Sequence, residues 1–109
     1  FSFSPYIPSH ISMSEFAAGM VTASINSFVN RDLDLAKKVI FDDDVVDGYF
    51  DKIKGELIEK LGAGESNGEF LLDILMIAKY IERVGDHATN IAEWVVYSIT
   101  GMHPEDLEV

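Results

Sequence analysis

The chain has 109 residues, a size that forms one domain with a modest core. Hydrophobic residues make up 48% and charged residues 25%, an ordinary globular composition and not a disordered one. Nineteen acids against eight bases leave a net charge of -11, which repels nucleic-acid backbones and anionic lipid surfaces, and the absence of cysteine excludes disulfides, thiolate metal sites and cysteine catalysis.

The opening segment, FSFSPYIPSH, has neither a basic n-region nor an apolar h-region, so no signal peptide is expected there. Beginning on Phe1 and not on Met, the chain is read as a trimmed piece of something longer. Residues 1–11 are expected to be extended, because Pro5 and Pro8 oppose a helix. Ser12 and Glu15 have the spacing of a capping box, with Ile11 and Phe16 as its hydrophobic staple. A first helix then runs to about Asn30, with Met13, Phe16, Ala17, Met20, Val21, Ser24 and Phe28 on its inner face.

Asn30-Arg31-Asp32 forms a tight polar connection, and Asp32 is suited to N-cap a second helix. That helix carries Ala36, Val39, Asp43, Val46, Phe50, Ile53, Leu57 and Leu61 at intervals of three and four. Gly48 and Gly55 weaken its interior by roughly 1 kcal/mol each relative to Ala, so a kink or break is expected near them. The loop Gly62 to Gly68 follows, and Ser66 with Glu69 suggests another capping box. A third helix is marked by Leu71, Ile74, Ala78, Ile81, Gly85, Ala88, Ala92, Val95 and Ile99, with Gly101 as its C-cap. Gly85, Ala88 and Ala92 imply close helix approach. The most apolar stretch, Phe70 to Ala78, is too short to span a bilayer. The expected fold is an all-α antiparallel three-helix bundle over residues 12–101, with an acidic frayed tail over 102–109.

The acids are placed unevenly. Asp43 occupies a seam position between Val39 and Val46, and Asp47 lies one turn on, about 40° around the helix. Asp42 and Asp44 are expected to point toward solvent. Glu82 and Asp86 repeat the four-residue spacing on the third helix, with Asn90 and Glu93 continuing the line. Carboxylates one turn apart repel unless a positive charge intervenes. Two such pairs on facing helices supply oxygen ligands in the manner of helical-bundle metal sites. Asp43, Asp47, Glu82, Asp86 and Asn90 are therefore the candidate metal residues. Oxygen donors suit Fe, Mn, Mg, Zn or Ca. The plain alternative is a solvated acidic face, or neutralisation by Lys79 and Arg83, which neighbour Glu82. His87 projects away from Asp86, and His10 and His103 fall in the tails; none is given a role. No nucleophile triad or phosphate-binding glycine loop is present, so no catalytic residue is assigned.

The run from Ala78 to Glu93, AKYIERVGDHATNIAE, resembles the signature helix of the PhoU family. Asn30-Arg31-Asp32-Leu33 with Ala36, and Asp43-Asp44-Val45-Val46-Asp47, resemble that family's "R-D-x-x-x-A" and "D-x-x-x-D" segments. The resemblance covers about residues 13–101 and is closest to a C-terminal repeat, or to a regulatory domain cut from a transporter. It implies a cytoplasmic regulator of phosphate uptake and phosphate-starvation signalling, not an enzyme. The implied partners are the phosphate ABC transporter and a sensor kinase, and a homodimer is expected. It also implies a multinuclear iron or zinc cluster at the Asp43…Asp47 and Glu82…Asp86 motifs, with manganese kept as the further candidate that the oxygen donors allow. Only one three-helix unit is present, and Gly48 stands where the family commonly has a bulky polar residue. Two other classes remain open: a carboxylate-bridged metalloenzyme, disfavoured by the lack of Glu-x-x-His pairs, and a purely structural oligomerisation unit.

Overall fold

The computed structural model of the chain describes residues 7–64 and 67–106, with side chains from His10 onward. It is a three-helix bundle: α1 spans Ile7–Asn30, α2 spans Leu33–Gly62 and α3 spans Gly68–Thr100. The expected all-α architecture is thus present, and the described residues contain no strand.

The core follows the helical stripes. Met13, Met20, Val39, Val46, Ile53, Leu57, Leu71, Ile74, Val95 and Val96 are buried together, with Ala36, Ala78, Ala88 and Ala92 between them. Small residues let the helices approach: a Cβ added at Gly85 would stand 3.4 Å from Val46. On α1, Ser24 and Ser27 are fully buried, and their hydroxyls donate to the carbonyls of Val21 (2.8 Å) and Ser24 (2.7 Å). The helix backbone thus satisfies those hydroxyls without cost to the packing.

Several expectations change. Helix α1 begins at Ile7, so residues 7–11 are helical where an extended segment was expected, and Ser12 lies inside the helix and caps nothing. The reason is that Pro8 sits in the first turn, where a missing N–H breaks no helical bond. Pro5 lies outside the described residues. Phe28 is 59% exposed and Ser27 takes its core position; Leu61, in the last turn of α2, is 53% exposed. Helix α2 runs unbroken through Gly48 and Gly55.

The caps at the connections agree better with expectation. Asp32 Oδ1 accepts from the Leu35 N–H at 3.1 Å, and Gly101 closes α3 in the left-handed conformation at φ 75°. Ser66 lies outside the described residues, and Asn67 N-caps α3 with no side-chain bond. Part of the expected frayed tail is ordered: Pro104–Asp106 form a short 3₁₀ turn, and the His103 ring packs against Tyr97 with centroids 5.0 Å apart.

Chain direction makes α1 and α3 parallel, with α2 antiparallel to both. His10 fixes the register of the parallel pair: its Nε2 lies 3.1 Å from the Ile74 carbonyl. A residue expected in a tail is therefore a tie between helices. No helix of the described residues is long and apolar enough to cross a membrane.

Candidate functional site

The acidic groove lies between α2 and α3, and helical spacing builds both walls. Asp43 and Asp47, one turn apart on α2, are both half-buried, as is Glu82 on α3; Asp86, one turn beyond Glu82, is exposed. A bridge joins the walls. The Thr89 hydroxyl lies 3.3 Å from Asp43 Oδ1 and 3.0 Å from the Gly85 carbonyl, so its single proton is shared between them.

The four carboxylates act on one another. Burial raises the Asp43 pKa above its ordinary value, the charge of Asp86 adds to this, and the Thr89 hydrogen bond opposes it. Asp47 is raised as well, first by burial and then by Asp43, Glu82 and Asp86. Asp44, expected to be a solvent residue, adds to the repulsion on both. The structure thus brings Asp43, Asp47, Glu82 and Asp86 into one field of negative charge across two helices.

Cations touch only the edge of that field. Lys79 Nζ pairs with Glu82 Oε1 at 2.7 Å and lies 5.2 Å from the centre of the Phe50 ring, so it reaches across from α3 to α2. Arg83, the other expected neutraliser, stacks over Tyr80 at 5.5 Å. Asp42 departs from expectation too. Its side chain is 17% exposed, pairs with Lys38 at 2.7 Å, and lines a cleft with Glu15 and Phe16 of α1.

The expected metal residues all offer oxygen donors. The donor chemistry suits a hard cation. Among the described residues, however, no three His, Asp or Glu side chains gather into a set able to hold a metal ion. The engaged oxygens explain part of this: one of Asp43 faces Thr89 and one of Glu82 faces Lys79. Asn90, one turn beyond Asp86, lines a separate cleft with Glu93, Trp94, Tyr97 and His103. His87 is exposed.

Thr89 and Asp44 are the neighbours of these carboxylates that sequence reasoning missed. Thr89 lies one residue beyond the seam position Ala88, at the edge of the core facing α2, which was the available signal.

The sequence comparisons agree with one another. Residues 11–95 match the model of the PhoU domain. The chain is 38% identical over 82 residues to the phosphate-specific transport system accessory protein PhoU homolog of Clostridium acetobutylicum, covering 75% of this chain and 37% of that protein. It is 37% identical over 87 residues to homolog 1 of Thermotoga maritima, covering 80% and 38%. It is 32% identical over 92 residues to homolog 1 of Methanothermobacter thermautotrophicus, covering 84% and 42%. The chain therefore spans about two fifths of the length of these relatives. No solved structure gives a significant match.

Proposed function

Because this chain belongs to the PhoU family, we propose that it is a cytoplasmic regulatory module of phosphate uptake and phosphate-starvation signalling, acting by docking and without turnover. Its partners on this reading are the phosphate transporter and its sensor kinase, and it works as a homodimer. The similar proteins are named as accessory proteins of the phosphate-specific transport system, which supports the transport half of the reading.

One observation of the structure carries the mechanism: the α2–α3 groove concentrates Asp43, Asp47, Glu82 and Asp86 with Lys79 as a cation at its edge. Mutual repulsion there is relieved when a basic protein surface enters the groove. Docking and relief of strain are then the same event, and affinity is salt-sensitive. A metal cation is the other form of positive charge suited to the groove. Asp43, Asp47, Glu82, Asp86 and Asn90 would hold iron, zinc, manganese, magnesium or calcium, which would supply charge neutralisation alone. The side chains would have to rotate, and Glu82 would have to release Lys79.

The test is a binding measurement on the phosphate transporter in nanodiscs, at two salt concentrations. The expected result is binding that weakens with salt and is lost in the quadruple variant Asp43→Asn, Asp47→Asn, Glu82→Gln, Asp86→Asn. Absence of binding by the wild-type chain at either salt overturns the docking reading. Metal analysis after chelator-free purification tests the cation separately: retention by wild type and loss in the quadruple variant is expected. A metal-free wild type whose melting is unmoved by added iron, zinc or manganese overturns that part.

A further inference from the structure

The α3 face that carries Glu82 and Asp86 does not end with them. Asn90, Glu93, Trp94 and Tyr97 follow at intervals of three and four, within about 100° of arc on that same side. Beyond the helix the chain turns back. Gly101 takes the left-handed conformation, the Thr100 hydroxyl accepts from the Met102 N–H at 3.1 Å, and the His103 ring comes to lie on Tyr97. These side chains line an open cleft of about 550 Å³ at the C-terminal end of α3.

Two features decide what kind of ligand suits the cleft. The first is a row of aromatic rings. Trp94 stacks on Tyr97 with centroids 5.9 Å apart, and His103 continues the row. Trp94 is 62% exposed and Tyr97 41%, so much of their ring surface is left open. The second is Glu93, half-buried in the same lining. Among the described residues no cation pairs with it; the ion pairs there are on Asp42 and Glu82.

A half-buried carboxylate is stabilised by a cation, and an aromatic face attracts the same charge through its quadrupole. A bare hard metal ion needs several oxygen ligands, whereas the lining holds one carboxylate. An anion is repelled by Glu93 and by Asp86 one turn before Asn90. A flat, delocalised cation satisfies both features at once. Guanidinium stacks its plane on a ring and presents a fork of N–H donors to a carboxylate at its edge.

We infer that this cleft is a binding site for the guanidinium group of an arginine side chain on a partner protein. The protein-borne form follows from charge. Free arginine brings its own carboxylate, and the turn after His103 carries Glu105 and Asp106, which repel it. Within a polypeptide that carboxylate is an amide. The cleft does not include Asp43 or Asp47, so a partner that bears the arginine need not enter the groove.

Trp94 is the only tryptophan of the chain, so its fluorescence reports on the cleft directly. The probe is a blocked Gly-Arg-Gly peptide, titrated into the whole chain in chelator at constant ionic strength. The expected result is a saturable change in emission at roughly millimolar peptide. Glu93→Gln should weaken binding about threefold or more, and so should Tyr97→Leu, with helix content unchanged by circular dichroism. The citrulline peptide keeps the shape without the charge and should give no saturable change. The lysine peptide and free L-arginine should both bind more weakly than the arginine peptide. Equal responses to citrulline and arginine, or a Glu93→Gln variant that binds as wild type, overturn the site. A lysine peptide that binds as well as arginine overturns the guanidinium assignment, and free arginine that binds more tightly than the peptide overturns the protein-borne form. Should Glu93→Gln lose helix content, Tyr97→Leu gives the same reading.

Discussion

Arg31 takes a backbone conformation that L side chains avoid, at φ 49°. It closes α1: its own N–H bonds the Phe28 carbonyl at 3.4 Å, and the next N–H, of Asp32, bonds the Ser27 carbonyl at 2.9 Å. This is the paired bonding of a Schellman stop, with arginine where glycine is usual. The left-handed region costs an L residue about 1–2 kcal/mol. Glycine removes that cost but has more freedom to lose on folding, worth about 0.5–1 kcal/mol. Arg31→Gly is therefore expected to stabilise the chain by about 0.5–1 kcal/mol, read as a higher midpoint in urea. An unchanged or lower midpoint would mean that the exposed guanidinium contributes to folding.

The elements show local propensity yielding to packing. Gly48 sits near the middle of α2, is exposed, and an added Cβ there meets nothing within 4 Å. Propensity favours a break at that point, yet the helix continues, because Val46 and Ile53 on either side are held fully buried in the core. The glycine cost is then retained within a continuous helix. Gly48→Ala should recover about 1 kcal/mol, raising Tm by about 4–6 °C in a chain of this size. A fall in Tm would show that α2 draws on glycine flexibility beside Asp47. At Gly85, by contrast, an added Cβ would meet Val46 of the neighbouring helix at 3.4 Å, an ordinary van der Waals contact, so the site is close-packed where Gly48 is open.

At the scale of the whole molecule the charge on α2 and α3 works against the bundle. Asp43 and Asp47 have pKa values raised above the ordinary 3.8, so the folded state binds protons more tightly than the unfolded chain. Their contribution to stability is complete below pH 3.8 and is lost as pH rises through the raised folded values. Removing both charges should stabilise the fold at neutral pH by roughly 0.5–1 kcal/mol, a figure kept small by partial exposure. In chelator, Asp43→Asn/Asp47→Asn is expected to melt above wild type at pH 8 and to lose that advantage toward pH 4. Equal melting at pH 8 would mean that the repulsion is screened and costs nothing. Such a groove is poised to gain stability from any cation or basic surface that enters it, which is the physical content of the docking proposal.

Three helices, the Asp32 and Gly101 caps and most of the core were legible in the residues alone, because 3.6-residue periodicity and end chemistry are local properties. The pairing Asp43…Asp47 and Glu82…Asp86 was legible as two separate rows. That the rows share one field, bridged by Thr89 and edged by Lys79, depends on how α2 and α3 rotate against each other. The same dependence left Phe28 and Leu61 outside and turned His10 into a tie between α1 and α3. Pattern states which face of a helix is apolar; only the packed bundle decides how much of that face a neighbour reaches to cover, and which polar side chains meet across the gap.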